Sequence, residues 1–131
     1  MSAPERRKHP RVKIYHPISY VCTNEKGNIV QQNMGVALNI RQSGILIETA
    51  ESVFCKHITL ISVDLNKNII EISGKVAYCK KNGSGKYRIG ISFAGTQAQN
   101  VDFVKGLTRA YYYNKDKNCY RSVSKPKTAV I

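Results

Sequence analysis

The stretch Ile70-Glu71-Ile72-Ser73-Gly74-Lys75-Val76-Ala77-Tyr78-Cys79-Lys80-Lys81-Asn82-Gly83-Ser84-Gly85-Lys86-Tyr87-Arg88-Ile89-Gly90-Ile91-Ser92-Phe93 decides the fold class. Ile70, Ile72, Val76 and Tyr78 recur with a period of two, and so do Tyr87, Ile89, Ile91 and Phe93. That period belongs to a strand, because successive side chains of extended backbone point to opposite faces. Between the two runs lie Asn82-Gly83 and Ser84-Gly85. Asn and Gly supply the positive φ that a tight hairpin loop needs. The same period continues outward. Ile58, Leu60 and Ser62 alternate ahead of a turn at Asn66-Lys67-Asn68, and Ile45-Leu46-Ile47 reads as a buried strand after the break at Gln42-Ser43-Gly44. Val36, Leu38 and Ile40 alternate, as do Val12, Ile14, Ile18, Tyr20 and Cys22, with a turn over residues 24–28. Pro17 marks a bend or an edge position in the first of these strands. Several short strands at this spacing predict an all-β barrel or sandwich.

Helical spacing starts only after Gly95. Thr96 and Gln99 fit a capping box, in which each side chain satisfies the other's backbone N–H. Phe103, Val104, Leu107, Ala110 and Tyr111 then recur at steps of three and four, which predicts one apolar stripe on a helix of about four turns. After Asn114 the pattern dissolves. Residues 1–113 therefore read as one domain and residues 114–131 as a basic C-terminal tail.

The chain has 131 residues and a formal net charge of +13. No run approaches the ~18 apolar residues of a membrane span. Residues 1–10 hold no apolar core of a signal peptide, so the expected compartment is the cytoplasm. Cys22, Cys55, Cys79 and Cys119 lack the short spacings of a zinc site, and His9, His16 and His57 add none. Four reduced thiols and no metal are expected. His16, beside Pro17, reads as structural. No nucleophile elbow, zinc-protease helix or phosphate loop is present, and the eight Asp and Glu residues form no evident acid–base pair. The expectation is not an enzyme, and a protein without a cofactor.

The charge sits at the two ends. Arg6, Arg7, Lys8, Arg11 and Lys13 crowd the start, and Lys115, Lys117, Arg121, Lys125 and Lys127 crowd the end. A strong positive field favours anionic partners such as nucleotides. Guanidinium is planar, always charged and carries forked donors. It pairs with a phosphate or with the O6/N7 edge of guanine, and it stacks flat on a purine. Arg7 and Arg11, four residues apart, have the chemistry to grip a phosphorylated guanine from two sides. Asn39 adds an amide with donors and an acceptor, and Gly44 permits a tight turn and close approach to the backbone.

Taken in order, these residues resemble a known family. Arg7-x-x-x-Arg11, followed by Val12, resembles the Arg-x-x-x-Arg motif that opens PilZ domains. Asn39-x-Arg41-x-x-Gly44 resembles their second motif, [Asp/Asn]-x-Ser-x-x-Gly, at a typical separation. Tyr87-Arg88-Ile89-Gly90-Ile91-Ser92-Phe93 resembles their closing strand. The likeness runs from about Glu5 to Tyr113. It implies a six-stranded antiparallel β-barrel with a C-terminal helix, and a bacterial cyclic di-GMP receptor that passes a change of shape to a partner protein. It also implies that Arg7 and Arg11 bind phosphate and guanine, and that Asn39 and the loop ending at Gly44 hold a guanine. Arg6 either adds a phosphate contact or faces solvent.

The motif's Ser position holds Arg41. This arginine either donates to the ligand or fills the pocket, and in the second case the domain is a protein-interaction module that does not bind cyclic di-GMP. The net charge and eight tyrosines raise a third reading, non-specific nucleic-acid binding. No RNA-recognition signature supports it, so no specific nucleic acid is expected.

Overall fold

The computed structural model describes residues 11–124, with side chains described for residues 11–115. Six strands and one helix follow in order: β1 (Val12–Thr23), β2 (Ile29–Arg41), β3 (Gly44–Thr49), β4 (His57–Val63), β5 (Ile69–Lys81), β6 (Tyr87–Phe93) and α1 (Gln97–Ser124). Every neighbouring pair is antiparallel, and the strands close into a barrel in the order β1-β2-β3-β6-β5-β4. The expected all-β barrel with a C-terminal helix is the fold observed. Closure leaves no sheet edge along most of the wall, because each strand's N–H and C=O groups find a neighbour on both sides. Pro17 sits where the barrel tolerates it. β1 pairs with β4 only from Ser19 to Thr23, so at Pro17 the strand has β2 alone beside it.

The inward faces follow the period-two pattern. Ile18, Tyr20, Ile40, Ile47, Ile58, Leu60 and Ile89 are fully buried. Each such side chain contributes roughly 2 kcal/mol by leaving water. Inside this core the Tyr20 hydroxyl lies 3.2 Å from Thr49 Oγ1, which donates to the Met34 carbonyl. Burial raises the pKa of Tyr20, so the phenol stays protonated and can donate.

The β1–β2 ladder shifts register between Lys13 and His16 and between Cys22 and Thr23, and two further shifts flank the outer face of β3 and β6. In β2, Ala37 pairs with Ile47 and Asn39 with Leu46, so Leu38 is an extra residue. In β5, Val76 pairs with Ile91 and Tyr78 with Gly90, so Ala77 is extra. Each bulge shifts the phase of the residues that follow. Ala37 and Ile40 are therefore buried, rather than Val36, Leu38 and Ile40. Cys79 packs against the core and Tyr78 turns outward, the reverse of the placement that alternation alone predicts.

The helix begins as expected. Gln99 Oε1 accepts from Thr96 N–H at 2.8 Å, and Thr96 Oγ1 accepts from Gln99 N–H at 3.2 Å. Phe103, Leu107 and Ala110 are buried on the barrel, where α1 meets β5, β1 and β4. Phe103 meets Phe93 edge to face at 5.8 Å between ring centroids. The helix does not stop near Asn114, however, but runs to Ser124. The apolar stripe ends earlier, yet no Gly or Pro stands between Gly106 and Pro126. Extending a formed helix needs only the absence of a breaker. Residues 125–131 lie outside the described residues.

The thiols require a second correction. Cys22 and Cys55 form a disulfide, with Cα atoms 5.7 Å apart, and Cys79 is free. Alternation along β1 points Cys22 inward, and its ladder partner Ile58 brings the approach to β4 beside it. The pairing is set by barrel closure, which the spacing of cysteines along the chain does not reveal.

Three hairpin loops share one geometry. Asn24, Asp64 and Asn82 each accept from the backbone N–H groups two and four residues on, all within 3.1 Å. The fourth residue of each loop has positive φ: Gly27 at 85°, Lys67 at 65° and Gly85 at 87°. A side chain at such a φ costs about 1 kcal/mol or more. Gly27→Ala should therefore lower unfolding stability by about 1 kcal/mol, whereas Lys67→Gly should raise it by a few tenths; urea denaturation of the two variants reads the opposite signs. A second expectation concerns His16, which is buried and whose pKa burial lowers from its ordinary value of 6.5. The unfolded chain binds this proton more readily than the folded one. The stability of the neutral ring is fully present above that value and declines as pH falls below it. Thermal melts at about pH 7 and about pH 5 should show a steeper acid loss for the parent protein than for His16→Gln.

Candidate functional site

The two bulges flank one patch on the outer wall of the barrel. Because Ile45, Ile47, Ile89 and Ile91 face the core, Gly44, Leu46, Gly90 and Ser92 face outward. Backbone pairing sets two rows across four strands. One row runs Asn39, Leu46, Gly90, Tyr78; the other runs Arg41, Gly44, Ser92, Lys75. Arg11, just before β1, joins them at the rim. Arg11, Asn39, Arg41, Ser43, Gly44, Leu46, Tyr78, Gly90 and Ser92 line a pocket of about 180 Å³.

Glycine shapes this pocket at two points. A Cβ on Gly44 would meet the Ile91 carbonyl oxygen, so only glycine lets β3 press against β6 where the motif ends. The turn is held there by Phe93 N–H donating to the Ser43 carbonyl at 3.0 Å. A Cβ on Gly90 would run into the Tyr78 ring, which lies flat over that residue. Tyr78 is still 45% exposed, and Lys80 Nζ sits 5.6 Å from its ring centroid. The patch thus offers an exposed aromatic face, a floor with little side chain, and one amide on the far side.

The electrostatics are one-sided. Glu48, on the next outward position of β3, is engaged by Arg88 Nε at 3.3 Å and Asn82 Nδ2 at 2.8 Å. Among the described residues, no carboxylate pairs with Arg11 or Arg41. Arg41 is half-buried and Arg11 exposed. Two guanidiniums with uncommitted donors beside an aromatic face suit a planar, anionic ligand.

Of the residues marked from the sequence, Arg11, Asn39, Arg41 and Gly44 meet at this pocket. Arg6 and Arg7 lie outside the described residues. Sequence reasoning missed Tyr78, Ser92 and Leu46. Tyr78 falls in the same period-two run as Ile72 and Val76, and the local signal of a phase change is the unbroken apolar run Val76-Ala77-Tyr78-Cys79, where a regular half-buried strand alternates.

A larger cleft, about 670 Å³, lies between β1, β4 and α1. His16, Ile18, Met34, Ser62 and Ala110 line it, and none of the sequence-marked ligand residues reaches it. Its size exceeds that of the arginine pocket, but its walls supply no comparable set of anion donors. Among the described residues no cluster of His, Cys, Asp or Glu is arranged to hold a metal, and no helix is long and apolar enough to cross a membrane.

The family model for the PilZ domain matches residues 5–110. No curated protein matches the sequence. Among solved structures, the chain is similar to the inhibitor of motility MotI/DgrA of Bacillus subtilis, with a TM-score of 0.58 and 18% identity over 86% of this chain and 53% of that one. It is similar to the PilZ domain of Escherichia coli YcgR with c-di-GMP, at a TM-score of 0.54 and 10% identity over 87% of this chain and 98% of that one. It also resembles the PilZ domain of CeSA from a cellulose-synthesizing bacterium, at a TM-score of 0.54 and 14% identity over 76% and 95% of the two chains. The chain spans about half the length of the Bacillus protein. At these identities the likeness is one of fold.

The packing of Tyr78 on Gly90 makes a direct expectation. Gly90→Ala should displace the ring and alter the near-ultraviolet circular dichroism of tyrosine. Because the ring is free to swing into solvent, the stability loss should stay below about 1 kcal/mol.

Proposed function

Because the chain belongs to the PilZ domain family, we propose that it is a receptor for cyclic di-GMP and not a catalyst. The family is one of ligand-binding domains, and no catalytic family is indicated. The observation that carries the proposal is the convergence of Arg11, Asn39, Arg41 and Tyr78 on one pocket. At about 180 Å³ the pocket seats one guanine rather than a whole dinucleotide.

One base lies over Gly44, where no side chain intrudes, beside Gly90, with its face against the outer side of the Tyr78 ring that covers Gly90. The Asn39 carboxamide meets a guanine edge through its donor and acceptor. Arg11 and Arg41 face the phosphates, where each guanidinium provides paired, charge-assisted donors. Arg6 and Arg7, on the segment leading into Arg11, supply the remaining cations. In this reading the ligand draws the basic N-terminal segment onto the barrel wall. The new surface then engages a partner protein in a cytoplasmic setting.

Arg41 favours a second reading. At a position where the family motif has Ser, its half-buried guanidinium occupies the rim of an already small pocket. An arginine that closes the site would make this a protein-interaction module without the nucleotide.

Titration calorimetry with cyclic di-GMP near physiological salt, with GTP as control, separates the two. The receptor reading expects saturable, guanine-selective binding. Arg11→Ala should weaken it by about tenfold or more, since a hydrogen bond to a charged group contributes about 1.5–3 kcal/mol. Tyr78→Ala should cost a similar factor through lost stacking, about 1–3 kcal/mol. Arg41→Ser should also weaken it. If the parent protein gives no heat and Arg41→Ser creates binding, the arginine closes the site. No binding by either protein contradicts the receptor reading.

A further inference from the structure

The second chemical feature of the barrel lies at the end formed by the β1–β2 hairpin. Cys22 is completely buried at the end of β1, whereas Cys55, in the β3–β4 connection, is half-buried. The disulfide therefore joins a fully buried residue to a half-buried one, and Cys55 is the more accessible of the two. A groove of about 340 Å³ opens at Cys55, lined also by Val30, Phe54, Lys56, His57 and Glu25. Lys56 and His57, which follow Cys55 in the chain, line the same groove; Lys75 stands opposite His57 in the ladder, and Glu25 is the single carboxylate of the groove. Phe54 beside it is 81% exposed. The groove thus joins an apolar wall, Val30 and Phe54, to a polar rim, with Cys55 in its lining.

We infer that Cys22–Cys55 is a reversible thiol–disulfide switch, entered at Cys55 by small thiols of the glutathione class. The thiolate attacks the Cys55 sulfur, the S–S bond to Cys22 breaks, and Cys22 leaves as a thiolate that takes a proton from solvent. A second thiolate attacks the small-molecule sulfur of the mixed disulfide. It releases Cys55 as a thiol and carries away the small disulfide. Two small thiols supply two electrons, and two protons end on the cysteines.

The surroundings favour cycling over a single opening. Cys22 stays in register with Ile58 through the β1–β4 ladder. Gln31 clamps the other side, with Nε2 donating to the Ser52 carbonyl at 2.8 Å and Oε1 accepting from Phe54 N–H at 3.4 Å. Neither contact involves the sulfurs, so reduction need not break them; with the thiols kept adjacent, the small disulfide re-oxidises the pair by the same two exchanges in reverse, taking up the two electrons as two small thiols. The bond spans a separation of 33 residues that includes β2 and β3, the strands carrying Asn39, Arg41 and Gly44.

The test incubates the full chain in glutathione buffers from reducing to oxidising, then quenches with an alkylating reagent and measures intact mass. The chain's four cysteines should take four labels in the reducing buffers and two in the oxidising ones, with a reversible transition between. Peptide mapping should place the lost labels on Cys22 and Cys55. Cys22→Ala should trap the intermediate, a glutathione adduct on Cys55; Cys22→Val repeats the test if that variant folds poorly. Cys55→Ser should remove the transition while Cys79 remains labelled throughout. A label count that stays constant across all buffers, whether two or four, overturns the switch. An adduct that forms on Cys79 instead of Cys55 overturns the point of entry. None of these readings depends on nucleotide binding.

Discussion

A barrel wall has two faces, and a strand can change which residues it shows to each only where an extra residue breaks the ladder. Leu38 in β2 and Ala77 in β5 are those residues, and the rest of the site depends on them. The first puts Ala37 and Ile40 into the core on either side of the shift and leaves Asn39 and Arg41 outward. The second keeps Val76 and Cys79 against the core and turns Tyr78 out over Gly90. Without these phase changes, one strand or the other would give up either its core residues or its surface ones. Bulges next to binding sites re-aim side chains in this way.

Small residues complete what the bulges begin. Gly44 lets β3 lie directly on β6, and Gly90 lets the tyrosine ring cross the strand. The outcome is a shallow floor bounded by an aromatic face, an amide and two arginines. The nearby carboxylate, Glu48, is engaged by Arg88 and Asn82 and leaves the pocket's positive field uncancelled. The barrel interior carries the opposite design. Its few polar groups, such as Tyr20 and Thr49, satisfy one another.

Much of this was legible from the sequence because alternation, loop chemistry and capping are local. All six strands, the capping box at Thr96 and Gln99, and the gathering of Arg11, Asn39, Arg41 and Gly44 follow from short-range patterns and one family resemblance. What the sequence hid is nonlocal. A bulge is a mismatch between two strands, so the outward turn of Tyr78 cannot be read from β5 by itself. The Cys22–Cys55 pairing depends on β1 meeting β4 across the closed barrel. The helix outlasts its apolar stripe because its residues lack a breaker, and a stripe marks only the part of a helix that is buried.

The central claim is that the outer face between the two bulges holds the nucleotide. Amide chemical-shift mapping during a cyclic di-GMP titration tests it most directly. The account predicts saturating shifts at Asn39, Arg41, Gly44, Tyr78, Gly90 and Ser92, with little change around His16 and Ser62. Shifts centred on the cleft between β1, β4 and α1, or none at any residue, would contradict it.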